Sequence, residues 1–368
     1  MKFRSWIRAA LATFCGVVAA AAPDGPYVLR GENGWESHSI SVDSNGTATV
    51  RKQLTGSTGT AQIAAVGAVP AFAVTLRDPA PVASDVVTTA AKAPLFVVAD
   101  THGEYQILVT MLRAHKVVGP KLEWKFARGH LVVLGDVFDR GPNHLEILWL
   151  LYKLEAEARK AGGGVHLVLG NHETMVMRGD LRYLNPKYVE TSAALGKTYG
   201  ELFAADTLLG QWLRTRASML RINDLLCLHA GVSRALLDST LTLGEINEAV
   251  RAALAPDAGG SATAELVMGS LGPLWYRGYF PEQASFTQAT PQDVDQTLQM
   301  FGARRILIGH TIVPTVTPLF GGKVIAVQVQ PKQDDSGKGS FEALLIRGAE
   351  LSRAGIDGGL TRLVAPQR

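Results

Sequence analysis

Five short motifs hold the residues best suited to chemistry. They are Asp100-Thr101-His102-Gly103, Gly135-Asp136-Val137-Phe138-Asp139-Arg140-Gly141, Gly170-Asn171-His172-Glu173, His229-Ala230-Gly231 and Gly309-His310-Thr311. Asp100, His102, Asp136, Asn171, His229 and His310 each follow an apolar run, and together they mix carboxylate, amide and imidazole donors. Such a mixture suits manganese, iron or zinc, whereas all-oxygen sets suit magnesium or calcium. By residue type, two divalent ions are favoured over one. A carboxylate can bridge them, and adjacent ions clamp the attacking and leaving oxygens of a displacement. Two Asp charges and a hydroxide against two dications leave about one positive charge. Arg140 adds another, and a phosphate dianion is the natural partner, since the arginine fork matches phosphate oxygens in pairs. Metal binding brings the pKa of water to about 7, so no Ser or Cys nucleophile is needed.

Three short β-branched runs deliver the first three motifs: Leu95 to Ala99, Leu131 to Leu134 and Val165 to Leu169. They read as buried parallel strands, whose carboxyl ends are where open α/β sheets place their chemistry. Ile107, Leu108, Met111 and Leu112 recur at helical spacing after the first motif; Leu145, Leu148, Trp149, Tyr152 and Leu154 do so after the second. Gly162-Gly163-Gly164 ends that second helix. The alternation predicts right-handed parallel crossovers. Residues 190–216 look helical, Leu225 to Leu228 and Arg305 to Ile308 read as strands, and Thr290-Pro291 opens a helix reaching Phe301. Val324 to Val329 and Phe341 to Ile346 also read as strands, so a second sheet is expected to pack against the first.

The 368 residues are 47% hydrophobic and 19% charged, enough for a sizeable core and too apolar for disorder. Lys2, Arg4 and Arg8 account for the formal charge of +3, leaving the rest in balance with its 33 acids. A neutral body has no electrostatic footprint for nucleic acid. Residues 1–22 read as a secretory signal peptide: a basic start, an apolar stretch from Ala9 to Val18, then an alanine run with Ala19-Ala20-Ala21 as the preferred cleavage motif. The apolar stretch is short for a membrane span, an uncleaved anchor being the alternative. A periplasmic or secreted location follows. Residues 23–78 read as an accessory β element, with a hairpin at Asp43-Ser44-Asn45-Gly46; Leu54 to Ala71 resist assignment. Residues 79–94 have the composition of a linker. Cys227, in an apolar run, reads as a buried inert thiol.

In this order the motifs resemble the calcineurin-like metallophosphoesterase superfamily, and within it the phosphoprotein phosphatase branch, over about Leu95 to Val329. Leu274-Trp275-Tyr276-Arg277-Gly278, with His229-Ala230-Gly231, is similar to the bacterial-type Shewanella-like protein phosphatases. The resemblance implies an α/β fold in which two sheets lie between helices (α-β-β-α layers), with residues 95–368 as the catalytic domain. It implies Asp100 and His102 on a first metal ion, Asp136 as the bridge, and Asn171, His229 and His310 on a second. His172, held by Asp139, would be the general acid; Arg140 and Arg277, with Asn171, would bind phosphate. It further implies direct in-line attack by a hydroxide bridging the two ions, manganese being favoured, without a phosphoenzyme.

Three positions depart from the pattern. Ala99 stands where the family usually has Gly, and Leu169 where eukaryotic protein phosphatases carry Arg. Ile312 stands where other branches add a His ligand. Glu173 reads as a hydrogen-bonding partner rather than an acid catalyst, and Trp275 and Tyr276 as core or substrate mouth. His38, His115, His130, His144 and His166 fall outside the constellation. The expected activity is hydrolysis of phosphorylated Ser, Thr or Tyr side chains. The alternatives are hydrolysis of dinucleoside polyphosphates or other small phosphoesters, and a non-catalytic phosphate-binding module. The residues from Lys187 to Ala217 and Gly269 to Phe280 are expected to set pocket depth.

Overall fold

The computed structural model describes residues 14–19, 22–32, 34–55, 59–78, 84–332 and 339–364. The chain begins with an antiparallel sheet of β1 (Phe14–Ala19), β2 (Asp24–Gly31), β3 (Gly34–Val42) and β4 (Thr47–Leu54), in the order β1-β4-β3-β2. The β3–β4 hairpin forms at the expected turn, where Asp43 Oδ1 accepts the N–H groups of Asn45 and Thr47, both at 2.9 Å. Gly46 supplies the positive φ of 79° that this turn needs. Strand β1 lies within the stretch expected to be a leader; the rest of residues 1–21 lies outside the described residues. The unassigned stretch contributes β5 (Thr60–Ile63), paired with β6 (Phe72–Thr75). Tyr27, Trp35, Ile63, Phe72 and Val74 belong to the same continuous core as the catalytic body. The N-terminal region is therefore packed onto the body as part of it. The expected linker is also partly structured: β7 (Val86–Val87) pairs in parallel with a body strand, because extended residues beside an open edge gain backbone hydrogen bonds there.

The first body sheet starts with β8 (Leu95–Val98), α1 (Tyr105–Ala114), β9 (His130–Val133), α2 (His144–Lys160) and β10 (Gly164–Leu167). The strands run parallel as β10-β9-β8, and β8 and β9 are buried along their whole length. Then come α3 (Asn171–Met177), α4 (Pro186–Leu195), α5 (Leu208–Arg214), β11 (Met219–Ile222) and β12 (Leu225–Leu228). The stretch 190–216, expected to be helical, holds the end of α4 and all of α5, separated by a short 3-10 turn at Gly200–Phe203. Gly196, at φ 64°, ends α4 in a left-handed cap. Three short helices follow, α6 (Arg234–Asp238), α7 (Leu243–Ala253) and α8 (Ala262–Met268), then α9 (Pro291–Met300) and β13 (Arg305–Ile308). Thr290 caps α9 by accepting the Asp293 N–H at 3.1 Å, an arrangement that stabilises a helix by about 1 kcal/mol.

The chain ends with β14 (Thr317–Leu319), β15 (Val324–Ala326), β16 (Glu342–Arg347), β17 (Glu350–Gly355) and β18 (Leu360–Arg362). Strands β16, β17 and β18 extend the first sheet to six, with β16 antiparallel to β8. The second six-stranded sheet runs β14-β15-β13-β12-β11-β7, with β12, β13 and β15 parallel. Buried side chains of both sheets share one core. Among the described residues no helix is long and apolar enough to cross a membrane.

Candidate metal centre

The carboxyl ends of β8, β9, β10, β12 and β13 carry the five motifs, so the site forms where the rims of both sheets meet. Backbone bonds bind the loops together. The N–H groups of Thr101 and His102 donate to the Asp136 carbonyl at 3.0 and 2.9 Å, and Gly309 N–H donates to the His229 carbonyl at 2.8 Å. Across the sheets, His310 N–H donates to Asp100 Oδ1 at 3.1 Å. Glu173 is fully buried and accepts the N–H groups of Gly170, Asp136 and Val137 at 2.7, 2.8 and 2.7 Å, the hydrogen-bonding role expected of it. Two motif glycines are required by space. A Cβ at Gly170 would lie 2.2 Å from Asp136 Oδ1, and one at Gly309 would lie 2.6 Å from Asp100 Oδ1.

On one flank, acceptor atoms crowd together. His229 Nδ1 lies 2.7 Å from the Leu134 carbonyl and donates to it, which leaves a lone pair on Nε2. That Nε2 faces Asn171 Oδ1 at 2.9 Å, His310 Nδ1 at 3.0 Å and Asp136 Oδ2 at 3.2 Å. Lone pairs this close repel unless a proton or a cation sits among them. Spacings near 3 Å are those of ligands about 2 Å from a shared ion. Burial opposes charge on His229, yet the Asp136 and Asp100 carboxylates outweigh it and hold its pKa up at about 9. The cluster thus favours positive charge at this point, and these donors fit a divalent cation.

The other flank is looser. His102 donates from Nδ1 to the Phe138 carbonyl at 2.8 Å, and its buried Nε2 has no hydrogen-bond partner among the described residues. That Nε2 lies 3.8 Å from Asp136 Oδ2 and 4.0 Å from Asp100 Oδ2. Asp136 is the carboxylate common to the two donor groups, one with His102 and His172 and one with His229 and His310. His172 Nδ1 is 2.5 Å from Asp139 Oδ2, and its Nε2 is 3.8 Å from Asp136 Oδ2. Burial lowers the His172 pKa, but the carboxylates of Asp136 and Asp139 raise it further, for a net upward shift.

Of the two arginines expected to hold phosphate, Arg140 is exposed at the rim, and Arg277 is half-buried. Arg277 spends one nitrogen on the His310 carbonyl and Thr311 Oγ1, both at 3.1 Å. Trp275 lies edge-on to His310 at 6.0 Å between ring centroids, and the Tyr276 side chain is buried. Tyr183, which the motifs did not mark, presents a ring 48% exposed, with its centroid 5.4 Å from that of His172. Nothing local distinguishes it in sequence from any other loop tyrosine. His102, Asp136, Asp139, Arg140 and His310 all have positive φ, between 43° and 67°. Holding side-chain-bearing residues there costs about 1–3 kcal/mol each, a cost typical of functional loops.

The remaining histidines make no part of these donor groups. His38 sits on the N-terminal sheet and His115 bonds the Gly355 carbonyl. His144 is buried against Tyr188. His130 and His166 pair with each other. Cys227 is buried, and burial pushes its thiol up to about 12.

A two-sheet α/β body with this rim defines the class: the chain belongs to the calcineurin-like phosphoesterase family, whose model matches residues 93–314. Among solved structures it is similar to the cold-active protein-tyrosine phosphatase of a psychrophilic Shewanella species. That likeness has a TM-score of 0.78 and 33% identity, over 93% of this chain and 100% of that one. It is also similar to Shewanella-like protein phosphatase 1 of Plasmodium berghei, 27% identical over 60% of this chain and 62% of the relative. Shewanella-like protein phosphatase 2 of Arabidopsis thaliana is 35% identical over 26% of this chain and 25% of the relative. The chain thus matches under two thirds of the length of these two relatives.

Proposed function

We propose that this protein is a metal-dependent phosphomonoesterase acting on phosphorylated protein side chains. The observation that carries the reading is the convergence of Asn171, His229, His310 and Asp136 acceptor atoms within 3.2 Å of His229 Nε2, beside the His172–Asp139 pair. Asp100, His102 and Asp136 would hold one divalent ion, and Asp136, Asn171, His229 and His310 the other, with manganese the first metal to test. When bound, the ions supply an activated water and neutralise phosphate charge. The chain's own residues do the rest. Asp139 fixes the His172 ring so that Nε2 faces the site and can give a proton to the leaving oxygen. Arg140, exposed at the rim, and the Arg277 nitrogens that bond neither His310 nor Thr311 bind the non-bridging oxygens. Arg277 also braces the His310 carbonyl, so it steadies the loop that it works beside.

Phosphotyrosine is the first substrate to try: a solved structure that this chain matches over its whole length is named a protein-tyrosine phosphatase, and Tyr183 offers a half-exposed ring beside His172. The test is manganese-dependent hydrolysis of an aryl phosphate, followed by a panel of phosphotyrosine, phosphoserine and phosphothreonine peptides against dinucleoside polyphosphates. A clear nucleotide preference would overturn the protein-phosphatase reading. Metal-replete protein that binds phosphopeptide without releasing phosphate would overturn the enzymatic one. The basic, apolar and alanine-rich start supports export to the periplasm or medium. Sequencing the N-terminus of exported protein checks that, and an intact Met1 on a membrane-bound form would point to an anchor.

A further inference from the structure

The N-terminal sheet reaches the phosphate-binding loop through a buried ion pair. Asp24, at the start of β2, has a fully buried carboxylate. Its Oδ2 accepts from the Tyr27 hydroxyl at 2.6 Å and the Thr191 hydroxyl at 2.8 Å, while Oδ1 lies 2.9 Å from Lys187 Nζ. The same Lys187 ammonium donates to the Pro142 carbonyl at 3.0 Å. Tyr188, the next residue, donates its hydroxyl to that carbonyl at 2.7 Å and accepts the His144 N–H at 2.8 Å. Asn185, the N-cap of α4, donates to the Arg140 carbonyl at 2.6 Å, and Arg140 N–H donates to the Tyr183 carbonyl at 3.1 Å. The loop from Asp139 to Asn143 is therefore gripped on its backbone by the first turn of α4.

That grip matters because Asp139 and Arg140 both sit at φ 67°, a conformation neither would keep unaided. The Lys187 side chain is largely withdrawn from water, and an ammonium so placed needs a counter-charge to stay there. Glu146 is 3.9 Å from Lys187 Nζ, too far to hydrogen-bond, so Asp24 is the close partner.

We infer that Asp24 and Lys187 are positioning residues: together they lock the loop that carries Arg140 and Asp139, making phosphate binding depend on the N-terminal sheet. The inference rests on Arg140 binding phosphate, as proposed above. It is tested by Asp24→Asn and Lys187→Met in the full chain, each also made in an Arg140→Ala background. Either single variant lowers kcat/KM for an aryl phosphate by about 10-fold, the scale of a small misplacement of a binding group. The inhibition constant for inorganic phosphate rises in proportion. In the Arg140→Ala background the same changes cost several-fold less, because groups acting through one another are non-additive; what remains acts through Asp139 on the same loop. Amide hydrogen exchange over residues 139–143 quickens in both single variants, more than any general loss of thermal stability accounts for at amides far from the loop, while the bound metal stays near wild type.

Equal losses in both backgrounds, or wild-type kinetics in both single variants, would overturn the inference. Should Asp24→Asn fold poorly, Thr191→Val removes one bond from the same carboxylate without touching the charge pair. Faster exchange at 139–143 and a smaller loss of the same kind are expected, and unchanged exchange counts against the tether. If the wild-type chain hydrolyses no phosphate ester, the proposed activity fails first. The exchange measurements still decide the tether.

Discussion

Histidines cluster at both ends of the first sheet, with opposite fates. At the amino end, His130 Nδ1 and His166 Nε2 lie 2.9 Å apart, their rings stacked at 5.2 Å. Burial lowers both, His166 to about 3, so they stay neutral and share one proton between two nitrogens. At the carboxyl end, His102, His172 and His229 surround Asp136, and carboxylates raise His172 and His229 despite burial. Residue type is alike at the two ends, and all of these rings but His166 are buried. What separates them is carboxylate oxygen within reach and acceptor atoms facing one another, which together favour positive charge, as a proton or a cation. The His130–His166 pair has no carboxylate at such range among the described residues and makes one hydrogen bond between neutral rings.

The sharpest way to break this contrast is Asp136→Asn, which removes the charge both flanks share. Turnover of an aryl phosphate should fall by about 10³-fold, the upper range for loss of one preorganised electrostatic group. Elemental analysis should find fewer bound metal equivalents, and full metal retention with full activity would end the shared-carboxylate account. His229→Ala should likewise leave the protein short of metal, with circular dichroism and the elution volume unchanged. His172→Asn separates metal holding from proton transfer: kcat drops by about 10²-fold, as for loss of a general acid, while metal content holds. If metal is lost with it, His172 serves as a ligand instead. At the amino end, His130→Ala should leave turnover within about twofold, since distant sites seldom couple. A large loss there would mean that the two clusters communicate. The smallest effect concerns Cys227. With its pKa raised to about 12, the buried thiol stays protonated at neutral pH and should resist a thiol reagent until the protein unfolds. Rapid labelling of native protein would contradict the burial.

Much of the site was readable because its signals are local. An apolar β-branched run followed by Gly, Asp or His records a buried strand and its loop in consecutive residues, as Leu131 to Gly135 does. The hairpin at Asp43 to Gly46 and the Thr290 cap are local in the same way. Pairing is not local. Strand β16 lies beside β8 although most of the chain separates them, and an apolar run records burial without naming its neighbour. The break between α4 and α5 depends on a left-handed Gly196 and on packing of Tyr199 and Phe203 against Phe138, contacts that periodicity cannot anticipate. Tyr183 stayed hidden for a further reason: its closeness to His172 arises from a loop folding back, with no spacing rule to mark it.

The carboxylate of Glu173 gathers amide hydrogens from the ends of two neighbouring strands and welds both turns into one stiff block. Such a block can keep its shape while the surrounding helices drift in length and sequence. Descendants of this scaffold could therefore change the molecules they accept by rebuilding the outer wall, leaving the reactive interior untouched.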